Sequence, residues 1–186
     1  MKKRFFLIFF AVAAVILNAQ SDTFPFSPGE FDVDIYQHPY MILIDNPETK
    51  DVDTVYTFTN RDNDFELRYA FFAQTETEVE NIRRIFALFV VSIINSTAGY
   101  EVDLNEVELY DDQDVAEEYN GDIGVSVFIP DPFTEYGGGH AFMLLSFFYK
   151  MDQGIVMQTI LFDEIEFAGT EAFMELSHTF KFSLSE

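Results

Sequence analysis

The chain has no cysteine. That excludes disulfide staples, thiol catalysis and cysteine-based zinc sites in one stroke. Cations are scarce as well: ten Lys and Arg stand against 33 Asp and Glu, for a net charge of −23. Affinity for polyphosphate rests on Lys and Arg displacing counterions, so nucleic acid and anionic lipid headgroups are both repelled. Internal repeats, low-complexity tracts and long Ser/Gly/Pro linkers are missing, and a single domain is the simplest organisation. No Gly-x-Ser-x-Gly elbow exists to present a serine nucleophile. No pair of the three histidines shows the i, i+4 spacing of a helical zinc site.

What is present begins with an address. Lys2, Lys3 and Arg4 precede an unbroken apolar run from Phe5 to Leu17, and Leu17-Asn18-Ala19 offers a small residue for a peptidase. This order is that of a secretory signal peptide over residues 1–19. The apolar run is too short to cross a hydrocarbon core of about 30 Å comfortably, and Ser21 and Asp22 follow it without a second apolar block. The expectation is an exported protein, periplasmic or extracellular, with no transmembrane anchor in its mature form. Losing residues 1–19 removes three basic residues and no acidic one, so the acidity deepens.

The remaining 167 residues of the 186 suffice for one domain with a substantial interior. Nineteen of them are Phe, and burying each such ring is worth about 1.5 to 3 kcal/mol, so aromatic packing can replace the missing disulfides. Residues 20–30 carry Pro25, Pro28 and Gly29 and read as an irregular leader, with the domain itself over residues 31–186. Residues 31–44 alternate loosely and end at Asn46-Pro47, an early strand followed by a turn.

From Thr54 to Phe72 the period is two. Tyr56 and Phe58 alternate with Val55, Thr57 and Thr59, and Phe65, Leu67, Tyr69 and Phe71 alternate with Glu66 and Arg68. Two half-buried strands joined through the turn formers Asn60 to Asp64 make a hairpin. Thr75 and Glu78 then form a capping box, and Val79, Ile82, Phe86, Phe89, Val90 and Ile93 recur at helical spacing. Between Ile85 and Ile94 almost every side of this helix is apolar, which predicts deep burial; Ser96 to Gly99 ends it. Further strands follow at Val107–Leu109 and Val125–Ile129. Ala141 to Tyr149 is continuously apolar enough for a central strand covered on both faces. A tight reversal at Asp152-Gln153-Gly154 leads into residues 155–162; a short helix over residues 171–177 and a terminal strand at Thr179–Phe182 close the chain. The fold class is α+β: an antiparallel sheet packed against one long helix and a short C-terminal helix.

That order, ending in His178-Thr179-Phe180-Lys181-Phe182, resembles the PsbP/Mog1 fold over residues 31–183, an antiparallel sheet sandwiched by helices. Its members assist photosystem assembly, bind a small GTPase or have no known role, so the resemblance implies fold rather than function. Residues 116–163 are similar to uncharacterised exported proteins of spirochaetes. The shared text is Ala116 to Gly124 with its Asn120-x-Asp122-x-Gly124 stretch, Phe128, Pro130, Tyr149-Lys150 and Ile160 to Asp163. That likeness implies kinship and brings no assigned activity.

The candidate chemistry is carboxylate-rich. Asn60, Asp62 and Asp64 begin like a calcium loop, but Phe65 stands where a Gly is needed and Phe71 where the bidentate Glu belongs, which leaves a polar turn. Asp111, Asp112 and Asp114, with Glu117 and Glu118, form a dense acidic run. Gly137-Gly138-Gly139 lacks the preceding strand, following helix and Lys of a phosphate loop and reads as a loop tip before His140. His178, at the end of the short helix, suits the negative helix terminus. Asp111, Asp112, Asp114, Asn120, Asp122, Glu135 and His140 are the candidate binding residues, with no catalytic set, metal ligand or cofactor assigned. Two functions fit: a non-catalytic module that binds an envelope protein or small ligand through a sheet face or the loops around residues 110–140, and a carboxylate hydrolase acting on envelope glycans. Facing carboxylates among Asp111, Asp112, Asp122 and Glu135 would distinguish the second. Asn120, Asp122 and Gly124 themselves are read as the device that turns the chain into the strand beginning at Val125.

Overall fold

The computed structural model describes residues 22–26, 33–38, 40–44, 54–62, 64–73, 82–151 and 153–183. The expected leader peptide, the Asn46-Pro47 turn, the Thr75/Glu78 capping box with Val79, and Asp152 lie outside these residues.

Among the described residues the first strand is β1 (Asp22–Phe26), which pairs antiparallel with β2 (Val33–Gln37), Phe24 opposite Ile35. This corrects the expectation of an irregular leader. β1 lies at the edge of its sheet, where the N–H that Pro25 lacks is not required by a second neighbour. After β2 a turn, with Met41 N–H donating to the His38 carbonyl at 2.9 Å, carries the chain into β3 (Ile42–Ile44) of a different sheet. The single early strand expected over residues 31–44 is therefore two.

β4 (Thr54–Thr59) and β5 (Phe65–Ala73) form the expected hairpin, with Phe58 opposite Leu67. Asn60 closes its turn by accepting from the Asp64 N–H at 2.9 Å while its own amide donates to the Asp64 carboxylate at 3.0 Å. Helix α1 (Ile82–Ala98) ends where Gly99 takes φ +74° and donates its N–H to the Asn95 carbonyl. A 3-10 turn (Leu104–Glu106) leads to β6 (Val107–Leu109), then α2 (Asp112–Tyr119), β7 (Ile123–Pro130) and the single turn α3 (Thr134–Gly137). The long hairpin of β8 (Phe142–Lys150) and β9 (Gly154–Phe162) follows. A 3-10 turn (Ile165–Gly169), α4 (Glu171–Ser177) and β10 (Phe180–Phe182) complete the chain.

Seven strands make one antiparallel sheet in the order β3-β4-β5-β9-β8-β7-β6; β1, β2 and β10 make a second. β8 sits inside the large sheet and its two faces feed two different cores. On one face Phe148 joins Phe65, Tyr69, Ile160 and Phe162 against Val33 and Ile35 of β2, Phe180 and Phe182 of β10, Tyr119 of α2 and Leu176 of α4. On the other, Met143, Leu145 and Phe147 join Val125, Val127 and Met157 under Phe86, Val90, Ile94 and Ala98 of α1. Both faces of the large sheet are thus covered around β8, and the exposed sheet face considered as a binding surface is not available there.

The first core contains a polar row. Tyr69, Gln158, Ser146 and Ser126 stand opposite one another across four adjacent strands, all buried. A buried amide left unbonded costs about 1–3 kcal/mol, so each must find a partner. Gln158 Nε2 donates to the Leu176 carbonyl at 3.0 Å and to the Tyr69 hydroxyl at 3.1 Å; Thr179 bonds Tyr69 and donates to the Leu176 carbonyl at 2.7 Å. The Tyr110 hydroxyl meets Ser126 and Ser146. The row thereby dictates where α4 and β10 dock.

The expectation of a helix buried on nearly all sides is corrected. Phe86, Val90 and Ile94 are buried, with Ile82, Phe89 and Ile93 flanking them, but Ile85 is 41% and Leu88 63% exposed. One helix lying on a sheet covers it with one face, and the exposure of Ile85 and Leu88 shows that the other faces water.

Candidate functional site

The candidate residues divide between the two ends of β7, an eight-residue strand. At about 3.3 Å per residue those ends are roughly 23 Å apart. Asp111, Asp112, Asp114, Asn120 and Asp122 lie with α2 before it, and Glu135 and His140 with α3 and the following loop after it. Glu135 is therefore not brought to face the aspartates, and the carboxylate pair that would distinguish a hydrolase is not formed with it.

At the first end Asp111, Asp112, Asn120 and Asp122 bond to the fold itself, and Asp114 stands among like charges. Asp111 is the N-cap of α2 and accepts from the Gln113 N–H at 2.8 Å, while Asp112 pairs with Arg83 of α1 at 2.8 Å, both side chains well exposed. Asp114, surrounded by Asp111, Glu117 and Glu118, has its carboxyl raised by slight desolvation and by those neighbours. Asn120 takes the left-handed conformation at φ 52° that ends α2, and its amide donates to the Phe182 carbonyl at 2.9 Å. The Asp122 carboxylate accepts from the Met151 N–H at 2.6 Å, with Lys150 at 4.0 Å. A Cβ on Gly124 would lie 2.8 Å from a Val115 methyl and 3.1 Å from the Phe148 ring, so α2 reaches the sheet only over a glycine. His178 caps α4: its ring stacks on Tyr119, with Nδ1 2.8 Å from the Met174 carbonyl and Nε2 2.9 Å from Glu118. Burial lowers its pKa, but the Glu118 and Met174 bonds outweigh that and the net movement is upward.

The second end holds a denser electrostatic arrangement. Glu66 and Arg68, two apart on β5, project from one face, and Arg68 is only 4% exposed. A buried guanidinium requires acceptors. Arg68 Nε donates to Glu66 at 3.0 Å, a second nitrogen lies 2.5 Å from the same oxygen, and the third donates to the Tyr136 carbonyl at 2.5 Å. The guanidinium also stands 5.7 Å from the centre of the Tyr136 ring, whose hydroxyl meets Thr159 of β9 at 3.0 Å. His140 enters from the glycine loop. Its Nε2 lies 3.7 Å from the other Glu66 oxygen and its Nδ1 3.2 Å from Asp163, whose second oxygen accepts from the Ala141 N–H at 3.0 Å.

The result is an alternating chain of charge: Asp163, His140, Glu66, Arg68. The His140 imidazole, and then the Arg68 guanidinium, hold the Glu66 carboxyl down at about 2 against the opposing effect of burial. Glu66, with Asp163 adding to it, raises the His140 pKa above the usual 6.5 although burial works against it. Of the expected residues only His140 belongs to this cluster; Glu135 is exposed on α3. Glu66, Arg68 and Asp163 were missed. The available signal was an Arg at the centre of a nine-residue strand otherwise rich in Phe, Leu, Tyr and Ala. Among the described residues no three His, Asp or Glu side chains converge as a metal site.

No family model and no curated protein matches this chain.

Proposed function

We propose that the protein is an exported, non-catalytic interaction module that docks a protein partner on the outer face of α1. The observation that carries this reading is the exposure of Leu88 and Ile85, one turn apart on a helix whose opposite face is core. Arg84 precedes them beside Arg83, which is already paired with Asp112, and the two are among only ten basic residues in the chain. An apolar spot with adjacent cations on an otherwise acidic molecule suits a partner that offers an apolar side chain ringed by carboxylates. The basic, apolar, small-residue order of residues 1–19 supports export to an envelope compartment. An antiparallel sheet with helices on both sides supports the likeness to the PsbP/Mog1 sandwich.

The engagement of Asp111, Asp112, Asp122, His140 and His178 in the fold's own bonds also favours binding over hydrolysis. A glycan hydrolase needs one carboxyl held protonated as general acid. Glu66, the carboxylate facing His140 and Arg68, is instead pushed the other way.

The test is a photo-crosslinking amino acid in place of Leu88, expressed in the native envelope. A single discrete adduct, lost when Arg84→Glu is added at unchanged circular dichroism, is the expected result. Absence of any adduct defeats the reading, and an adduct of twice the chain's own mass replaces a foreign partner with a second copy.

A further inference from the structure

The loop carrying His140 is anchored on both sides of a glycine turn, which the His140 N–H closes by donating to the Gly137 carbonyl at 3.0 Å. Upstream, Tyr136 is fixed by its carbonyl to Arg68 and by its hydroxyl to Thr159. Downstream, the Ala141 carbonyl accepts from the Asp131 N–H at 2.8 Å. Between them Gly138 and Gly139 take φ +64° and +94°, and a Cβ on Gly139 would touch nothing within 4 Å. Both glycines stand in the left-handed region, but a Cβ on Gly138 would meet Arg68 at 3.1 Å, so the room to pivot lies at Gly139. Past Gly139, His140 is held by two carboxylates from elements far apart in sequence, and its side chain is only 12% exposed.

We propose that His140 is a pH-operated latch. As imidazolium it bridges Glu66 of β5 and Asp163 beyond β9 and holds residues 138–140 closed over Arg68; on losing its proton it releases that segment, which pivots at Gly139 between the fixed Tyr136 and Ala141. A cation donates through both ring nitrogens, whereas neutral imidazole has one donor and one acceptor. The acceptor nitrogen then faces a carboxylate that can only accept, and one of the two ties becomes repulsive.

The groups facing His140 agree on the direction. Glu66 stays ionised beside Arg68, and Asp163 adds a second negative charge. Tyr136 of α3 is pushed up by burial and does not titrate in the neutral range, and Glu135 is exposed. Arg68, which lies beside it, is neutralised by Glu66 and bonded to a carbonyl. A histidine pKa raised on folding contributes stability that is complete below 6.5 and lost as the pH rises through the folded value. The latch is therefore closed in acid and opens toward alkaline pH.

Hydrogen exchange read by mass spectrometry on a peptide spanning residues 134–142, corrected for intrinsic rates, measures the opening directly. Protection in the wild type is expected to fall by roughly tenfold or more between about pH 5.5 and about pH 8.5, with peptides from β8 unchanged. Asp163→Asn, at a side chain that is 55% exposed and so tolerant of change, should shift the fall to lower pH. In a His38→Asn, His178→Asn variant, which leaves His140 as the sole histidine, its imidazole protons report the titration by NMR. Flat protection in the wild type overturns the proposal. So does an unchanged midpoint in Asp163→Asn, or an NMR midpoint at or below about 6.5.

Discussion

A methyl group is the smallest probe of how α2 meets the sheet. Gly124→Ala would press a Cβ against Val115, Phe148 and Tyr110 together, all within 3.1 Å. Overpacking of this kind costs about 1–3 kcal/mol, to be read as a lowered midpoint in a urea melt. Asp122→Asn is expected to behave differently. The amide oxygen still accepts from Met151 and only the distant Lys150 attraction is lost, so the change should stay below about 1 kcal/mol. The turn role of Asn120, Asp122 and Gly124 was legible because Asn, Asp and Gly act on backbone a few residues away. The role of Glu66, Arg68 and Asp163 was not. Which charges meet depends on β5 lying against β9 and on a loop reaching over from β8, and alternation along β5 places charged residues on a covered face as readily as on a wet one.

Among the elements α1 separates core from surface most sharply. Phe86→Ala removes a buried ring that packs 6.1 Å from Tyr149 and should cost about 3–5 kcal/mol in a denaturant melt. Leu88→Ser, two residues on, should change stability by less than about 0.5 kcal/mol, because its side chain already faces water. The helical period placed the sheet-facing residues correctly to within one position: the buried line runs through Phe86, Val90 and Ile94, with Phe89 and Ile93 beside it. The outer face was misjudged. Hydrophobicity alone does not say whether a second layer exists to cover it, and here a run that reads as buried on all sides is half core and half surface.

For the whole molecule, acid is the more damaging direction. Glu66 titrates at about 2 when folded against 4.5 when unpaired. Its depressed value contributes stability above about 4.5 that is lost as the pH falls toward 2. Thermal melts across that window should fall less steeply for Glu66→Gln than for the wild type, from a lower starting point. The α+β class and the order of elements were legible, since periodicity is a local property. The division of ten strands between two sheets was not, because a three-residue strand such as β10 carries no mark of its partner. That partner is β2, which takes the first strand of the fold along one edge and the last along the other. β2 can pair with β1 from its own neighbourhood, but its other edge stays open until β10 has been made. Until Phe180 and Phe182 arrive, the aromatic row that they cover has no lid, and the second layer cannot close however long the first has been ready. The order of this small layer thus hangs on a contact between segments more than a hundred residues apart, and whatever frees β10 uncovers the Phe180 and Phe182 side of the core at once.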